Sequence, residues 1–167
     1  YLGAQIQQHL KRRTNIEILF SDESDKIMET GGGVVKALSL LGDDPFFVIN
    51  ADVLWLDGPT PALQRLTQTW DQDRMDGLLL LHSTVEAYGY DGLGDFVVDP
   101  KGLLTRRPER EVSPYLFGGV QILQRKTFDG APAGPFSLNQ IYDRAIENAR
   151  LFGSIHDGDW FHIGNSK

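Results

Sequence analysis

Residues 45–52, Pro-Phe-Phe-Val-Ile-Asn-Ala-Asp, limit the fold more than any other stretch of the chain. A run this apolar, opened by proline and closed by polar residues, forms a strand covered on both faces. GLLLL at 77–81 and FGGVQIL at 117–123 have the same character. IEILF at 16–20 is a further short run of strand formers. Between these runs the spacing changes to helical. Leu2, Ile6 and Leu10 predict a helix over 2–12, VVKALSLL another over 34–41, and Pro59 and Pro61 flank the start of a third over 61–73. Ser137 is a suitable N-cap for a helix over 138–149. DFVVD and LLT, joined by a turn at 99–102, form a hairpin. LFGSIHDGDWFHIG ends the chain as two short strands around the Asp157-Gly158 turn.

Apolar strands alternating with helices predict an α/β domain with a largely parallel sheet covered on both faces. Neither a repeat nor a linker divides residues 1–167, so one domain is expected. The chain starts on a helix with no strand before it. Doubly wound sheets usually begin with a central strand whose following loop binds phosphate. Either this fold begins differently or the chain is a fragment.

Composition narrows the partners. Cysteine is absent, which removes disulfides and thiolate metal sites and fits a cytoplasmic protein. Net charge is −7, and the basic clusters Lys11-Arg12-Arg13 and Arg106-Arg107 are short, so a nucleic-acid backbone is not an expected partner. No run is long enough to span a bilayer. An acidic chain can still bind phosphate when a metal ion and backbone amides supply the positive field.

Five stretches could carry chemistry. Asp52 closes a buried strand at its carboxyl end, where open α/β sheets bind ligands. It is either a Mg²⁺ ligand or a turn-capping residue. Glu29 to Gly33, ETGGG, precedes a helix. It either lets a ligand approach the backbone closely or is a flexible loop, and no P-loop or dinucleotide fingerprint accompanies it. Gly92 to Phe96, GLGDF, either exposes main chain to a ligand or is a plain turn. Gly118 and Gly119 inside an apolar strand mark a bulge or a close backbone approach. Asp157 to Gly164 supplies carboxylates and His162, with Trp160 and His162 on one face of the strand and Asp159, Phe161 and Ile163 on the other. His9, His82 and His156 have no partner pattern. No hydrolase signature is present.

In this order, E-T-G-G-G, a strand ending N-A-D, G-L-G-D-F, F-G-G-V and W-F-H-I-G resemble the sugar-1-phosphate nucleotidyltransferases over nearly the whole chain. Bacterial N-acetylmuramate-1-phosphate uridylyltransferases resemble it most, with mannose-1-phosphate guanylyltransferases next. The resemblance implies a Rossmann-like mixed sheet flanked by helices. It also implies transfer of a nucleotidyl group from an NTP to a sugar 1-phosphate, giving NDP-sugar and pyrophosphate with Mg²⁺ as cofactor. It places Asp52 at the catalytic metal position, Thr30, Gly31, Gly32 and Asn50 at the nucleotide, and Gly94, Glu109, Arg110 and Gly119 at the sugar.

Three departures accompany it. The family's Gly-rich signature loop with its arginine and lysine is absent, so the chain is expected to be an N-terminally truncated and, alone, inactive form. Ala51 replaces a common glycine. His162 stands where many members place a second metal-binding aspartate, within Trp160 to Asn165. A non-catalytic sugar-nucleotide binding domain on the same fold is the alternative. A metal-dependent glycosyltransferase ranks below it, because Asp52 lacks an Asp-x-Asp partner.

Overall fold

The structure, a computed structural model, describes residues 2–164. Asn165, the end of the terminal motif, lies outside the described residues. Four α-helices, α1 (Gly3–Leu10), α2 (Glu29–Ala37), α3 (Ala62–Thr69) and α4 (Asn139–Glu147), accompany eight strands. The strands are β1 (Phe46–Ile49), β2 (Val53–Leu56), β3 (Gly77–Ser83), β4 (Phe96–Val98), β5 (Leu104–Arg106), β6 (Tyr115–Leu123), β7 (Leu151–Ile155) and β8 (Asp159–His162).

The main sheet runs β5-β4-β6-β3-β7, with β1 also paired to β6. β3 is its centre. Leu78, Leu79, Leu80 and Leu81 are all fully buried, and they alternate between two cores. Leu79 and Leu81 pack with Phe96, Phe136, Ile141 and Tyr142, on the side of α2 and α4. Leu78 and Leu80 pack with Ala62 and Leu66 of α3 and with Phe152. The uninterrupted leucine run therefore records a strand sandwiched between helical layers, each leucine contributing about 1.5–3 kcal/mol by burial.

The expected mixed sheet flanked by helices is present, but it is less parallel than expected. Among the described strands β3·β7 is the one parallel ladder, and β1·β6, β3·β6, β4·β6 and β4·β5 are antiparallel. Connectivity supplies the reason. A parallel pair needs a crossover, which α4 provides ahead of β7, whereas the hairpin-rich excursion 84–114 brings β6 back alongside β3 in the opposite sense.

Four local expectations are corrected. β1 is not covered on both faces, since Phe47 and Ile49 on one of them are exposed. Residues 16–20 form no strand; Ile16, Leu19 and Phe20 are exposed and have no sheet partner among the described residues. ETGGG does not precede a helix but opens α2 itself. The two terminal strands are not a hairpin, since β7 joins β3 in the main sheet while β8 pairs with β2 in a separate two-stranded sheet. That makes β2 an additional strand directly after Asp52. The hairpin at 99–102 forms as expected, with Asp99 Oδ1 accepting from the amides of Lys101 and Leu103, each at 2.8 Å. Among the described residues no helix is long and apolar enough to cross a membrane.

Candidate active site

β1 ends at Ile49, Asn50-Ala51-Asp52 form the turn after it, and β2 begins at the next residue. The antiparallel register of β2 with β8 sets Val53 opposite His162. His162 Nε2 therefore lies 3.7 Å from Asp52 Oδ2, with the side chains 29% and 52% exposed. Ile163 N donates to the Asp52 carbonyl at 2.9 Å and fixes the turn from the backbone. The His162 ring stacks with Trp160 at 6.4 Å and 11°, on one strand face as the alternation predicts. Trp160 is buried and donates its indole N–H to the Gly118 carbonyl at 2.9 Å. The backbone of Tyr88 also brackets this strand, its amide donating to Trp160 O and its carbonyl accepting from His162 N.

So exposed an ion pair contributes little stability by itself. Its geometry suits a shared ligand instead. Adjacent donors on one octahedral Mg²⁺ at about 2.1 Å stand about 3 Å apart, so the observed 3.7 Å would have to close by about 0.7 Å for both side chains to hold one ion. Among the described residues no group of three or more metal-binding side chains forms. An ion on Asp52 and His162 would draw its other ligands from phosphate oxygens and water, as Mg²⁺ characteristically does. The imidazole is the weaker half of such a site, because Mg²⁺ prefers oxygen.

Gly119 joins this turn to the main sheet. Its φ of +76° interrupts β6, and a Cβ there would meet Val53 Cγ2 at 2.9 Å and Asn50 Cβ at 3.2 Å. The β3·β6 register shifts between Leu79 and Leu81. Bulge and close approach are therefore both present, and the neighbour approached is the Asn50–Val53 turn. Asn50 N donates to Gly119 O at 2.8 Å.

The glycines of α2 have a packing role. A Cβ on Gly31 would lie 2.4 Å from the Phe136 ring, and one on Gly32 would lie 2.5 Å from the Gly134 carbonyl. Both amides donate to Phe136 O, at 2.9 and 3.2 Å. Thr30 Oγ1 accepts from Leu138 N at 2.9 Å, tying α2 to the start of α4. Thr30 and Asn50 line one small pocket together.

Gly94, with φ +80°, lies against the Ser113 carbonyl and donates its amide N–H to the Tyr90 hydroxyl oxygen at 3.0 Å. Burial, with the Asp95 charge nearby, raises the Tyr90 hydroxyl above its ordinary pKa. Asp95 accepts from Phe117 N at 2.8 Å. Glu109 and Arg110 are exposed on a turn closed by Glu111 N donating to Pro108 O. Arg107, half of a short basic cluster in the sequence, connects these candidates. Its Nε donates to Gly94 O at 3.0 Å and its Nη1 to the carbonyls of Pro108 and Glu111 at 3.0 and 2.8 Å.

A carboxylate after one strand, with a histidine brought beside it and Gly119 packed against the same turn, forms the candidate site of this α/β sheet. The chain is 34% identical over 169 residues to an N-acetylmuramate alpha-1-phosphate uridylyltransferase of Caulobacter vibrioides, matching 99% of this chain and 70% of that protein. It is 33% identical to the protein of the same name from Neisseria meningitidis serogroup B, matching 98% of this chain and 70% of the relative. The crystal structure of HddC from Yersinia pseudotuberculosis complexed with GMP-PN shares the fold, with a TM-score of 0.69 at 15% identity over 99% of this chain and 70% of that one. No family model matches the chain. The chain belongs to the sugar-1-phosphate nucleotidyltransferases, the family of these uridylyltransferases.

Proposed function

We propose that the chain carries the uridylyl-transfer site of this family, taking UTP and N-acetylmuramate 1-phosphate to UDP-N-acetylmuramate and pyrophosphate. The observation that carries this reading is the placement of Asp52 at the end of β1, 3.7 Å from His162. The two uridylyltransferase relatives, which match nearly the whole chain, support UTP and N-acetylmuramate over GTP and mannose.

The sugar phosphate oxygen attacks the α-phosphorus in line, and pyrophosphate leaves. Such a step needs alignment and charge neutralisation more than covalent help. Mg²⁺, when bound by Asp52 with His162, supplies positive charge at the phosphates. Thr30 and Asn50 face the nucleotide from one shared pocket, with Gly31 and Gly32 holding α2 close behind. Gly94 and Gly119 keep the main chain near the sugar, and Glu109 and Arg110 hold its polar groups from the exposed turn. We place the enzyme in the cytoplasm, reusing cell-wall sugar, a compartment that the absence of cysteine fits.

The test joins the chain to the family's signature-loop segment and measures pyrophosphate release from UTP with a panel of sugar 1-phosphates, beside Mg²⁺-dependent binding of UTP. Turnover selective for N-acetylmuramate 1-phosphate supports the reading. Neither turnover nor metal-dependent binding with any member of the panel rejects it, and metal-independent binding of a UDP-sugar without turnover favours a non-catalytic binding domain.

Arg107 provides a separate test of the sugar side. Arg107→Ala releases Gly94 O and the 108–111 turn together. The KM for the sugar 1-phosphate is expected to rise roughly tenfold while the KM for UTP stays within about twofold, because the substitution loosens positioning on one side only. Steady-state kinetics with each substrate varied in turn measures this.

A further inference from the structure

The loop that leaves β3 carries the sequence Gly89-Tyr90-Asp91-Gly92. Gly89 has φ +75°, and a Cβ on it would lie 2.9 Å from the His162 carbonyl oxygen, so the loop passes directly against β8. A Cβ on Gly92 would lie 2.4 Å from both Cζ and Oη of Tyr90. Glycine there is what lets the phenol fold back over its own loop. Tyr90 is half-buried. Burial and the Asp95 charge keep its hydroxyl protonated.

The two ends of this side chain meet the two halves of the candidate site. The ring stands edge-on to Trp160, with 6.4 Å between centroids at 81°. Trp160 in turn stacks with the His162 ring and is tied to Gly118 O. The phenol is thus a further wall on the indole that carries His162. At its other end the hydroxyl accepts from Gly94 N at 3.0 Å. Arg107 Nε donates to Gly94 O, so Gly94 is held at both its amide and its carbonyl. Gly94 is buried, so its N–H depends on the Tyr90 hydroxyl.

We propose that Tyr90 is a positioning residue that fixes the sugar side of the site through Gly94 and the metal side through Trp160. This rests on the reading of Gly94 as sugar-facing and of Asp52 with His162 as metal-binding, and it adds the side chain that sets one against the other. In-line transfer depends on the alignment of groups held by separate elements, and a small displacement between them is costly. Gly94 lies just ahead of β4 and His162 ends β8, two strands that do not pair with each other. Tyr90 spans that gap with its ring on one and its hydroxyl on the other.

Two variants take the ends apart. Tyr90→Phe keeps the ring beside Trp160 and removes the acceptor for Gly94 N–H. Its affinity for N-acetylmuramate 1-phosphate, measured by calorimetry on the chain alone, is expected to fall about fivefold, the scale of one hydrogen bond, while Mn²⁺ affinity stays within about twofold. Tyr90→Leu removes the ring as well, and Mn²⁺ affinity is then expected to fall about threefold or more. Phenylalanine therefore rescues the metal side and not the sugar side. Loss of both affinities in equal proportion in the two variants gives Tyr90 a structural role only and overturns the proposal. So does an unchanged sugar-phosphate affinity in Tyr90→Phe, or an unchanged Mn²⁺ affinity in Tyr90→Leu. Pyrophosphate release by the wild type joined to the signature-loop segment is scored separately. The expected pattern of affinities without pyrophosphate release keeps the role of Tyr90 and rejects nucleotidyl transfer. Pyrophosphate release without that pattern keeps the reaction and rejects the role of Tyr90.

Discussion

Asp52→Asn is expected to lower pyrophosphate release from UTP by at least about a hundredfold, the scale of losing one preorganised electrostatic contact to the transition state. The substitution is nearly isosteric and leaves the fold's use of this residue intact, since the bond from Ile163 N goes to its backbone carbonyl. The side chain is about half exposed, so stability should change by no more than about 0.5 kcal/mol. A thermal melt beside the kinetic assay separates the two effects. Metal binding is checked directly with Mn²⁺ and its effect on water proton relaxation, where Asp52→Asn should weaken the ion's affinity by about tenfold or more. His162→Asp bears on the same site from the other side. It replaces the nitrogen donor with an oxygen donor at the same strand position and should strengthen Mg²⁺ binding. Unchanged turnover in Asp52→Asn, or metal affinity indifferent to both substitutions, removes Asp52 from the catalytic role.

The sequence made Asp52 visible because its strand is apolar on both faces and ends abruptly. His162 was visible as a strand residue sharing a face with Trp160. Their meeting was not legible, because it depends on β2 pairing with β8, and the closing segment looks more like a local hairpin. A turn as tight as Asp157-Gly158 suits a hairpin, and nothing local says that the strands on its two sides enter different sheets. The run VLWL at 53–56 is only four residues long and too short to announce itself beside the stronger apolar strand before it. The parallel share of the sheet was overestimated for a related reason. An uninterrupted apolar run predicts cover on both faces, which β3 has and β1 does not, since Phe47 and Ile49 are exposed; and burial does not specify the direction of a strand's neighbours.

Glycine misleads in α2. Each glycine inside a helix costs about 1 kcal/mol relative to alanine, so three in a row read as a loop. Tertiary packing reverses this, because the space that Cβ atoms would take at Gly31 and Gly32 is occupied by Phe136 and Gly134. IEILF at 16–20 is the converse: a good strand sequence with no partner among the described residues, since β-propensity is a preference for a pleated neighbour rather than a property of the backbone. Arg107 gave no signal beyond a short basic cluster, as its role rests on a contact with a residue 13 positions away.

The largest stability loss is expected from Gly158→Ala. A Cβ at this position would lie 2.0 Å from the Leu56 carbonyl oxygen, 2.7 Å from Gly58 N and 2.9 Å from the Asp57 carbonyl carbon. All three are backbone atoms, so no side chain can rotate away and the main chain itself has to move. The displaced turn is the one that carries the chain from the main sheet to β8. On its β2 side, Arg65 binds Asp157 and Asp57 Oδ1 accepts from Ala62 N at 2.8 Å. His82 Nε2 contacts Gly158 O at 3.1 Å, so a buried ring under the turn shifts as well. Overpacking of this kind costs about 3 kcal/mol or more, which lowers Tm by roughly 6–12 °C for a chain of this size. Function should fall with it, because β8 starts at Asp159 and its register places His162 beside Asp52. Calorimetry measures the first effect, and Mn²⁺ affinity below the new Tm measures the second. Gly164→Ala is the matched comparison. It too lies close to Asp52 and His162, but the added Cβ meets side-chain atoms at 3.0 Å and beyond, which can yield by a few tenths of an ångström. A melt of Gly158→Ala no lower than that of Gly164→Ala would show that the turn is not the rigid joint between the two sheets.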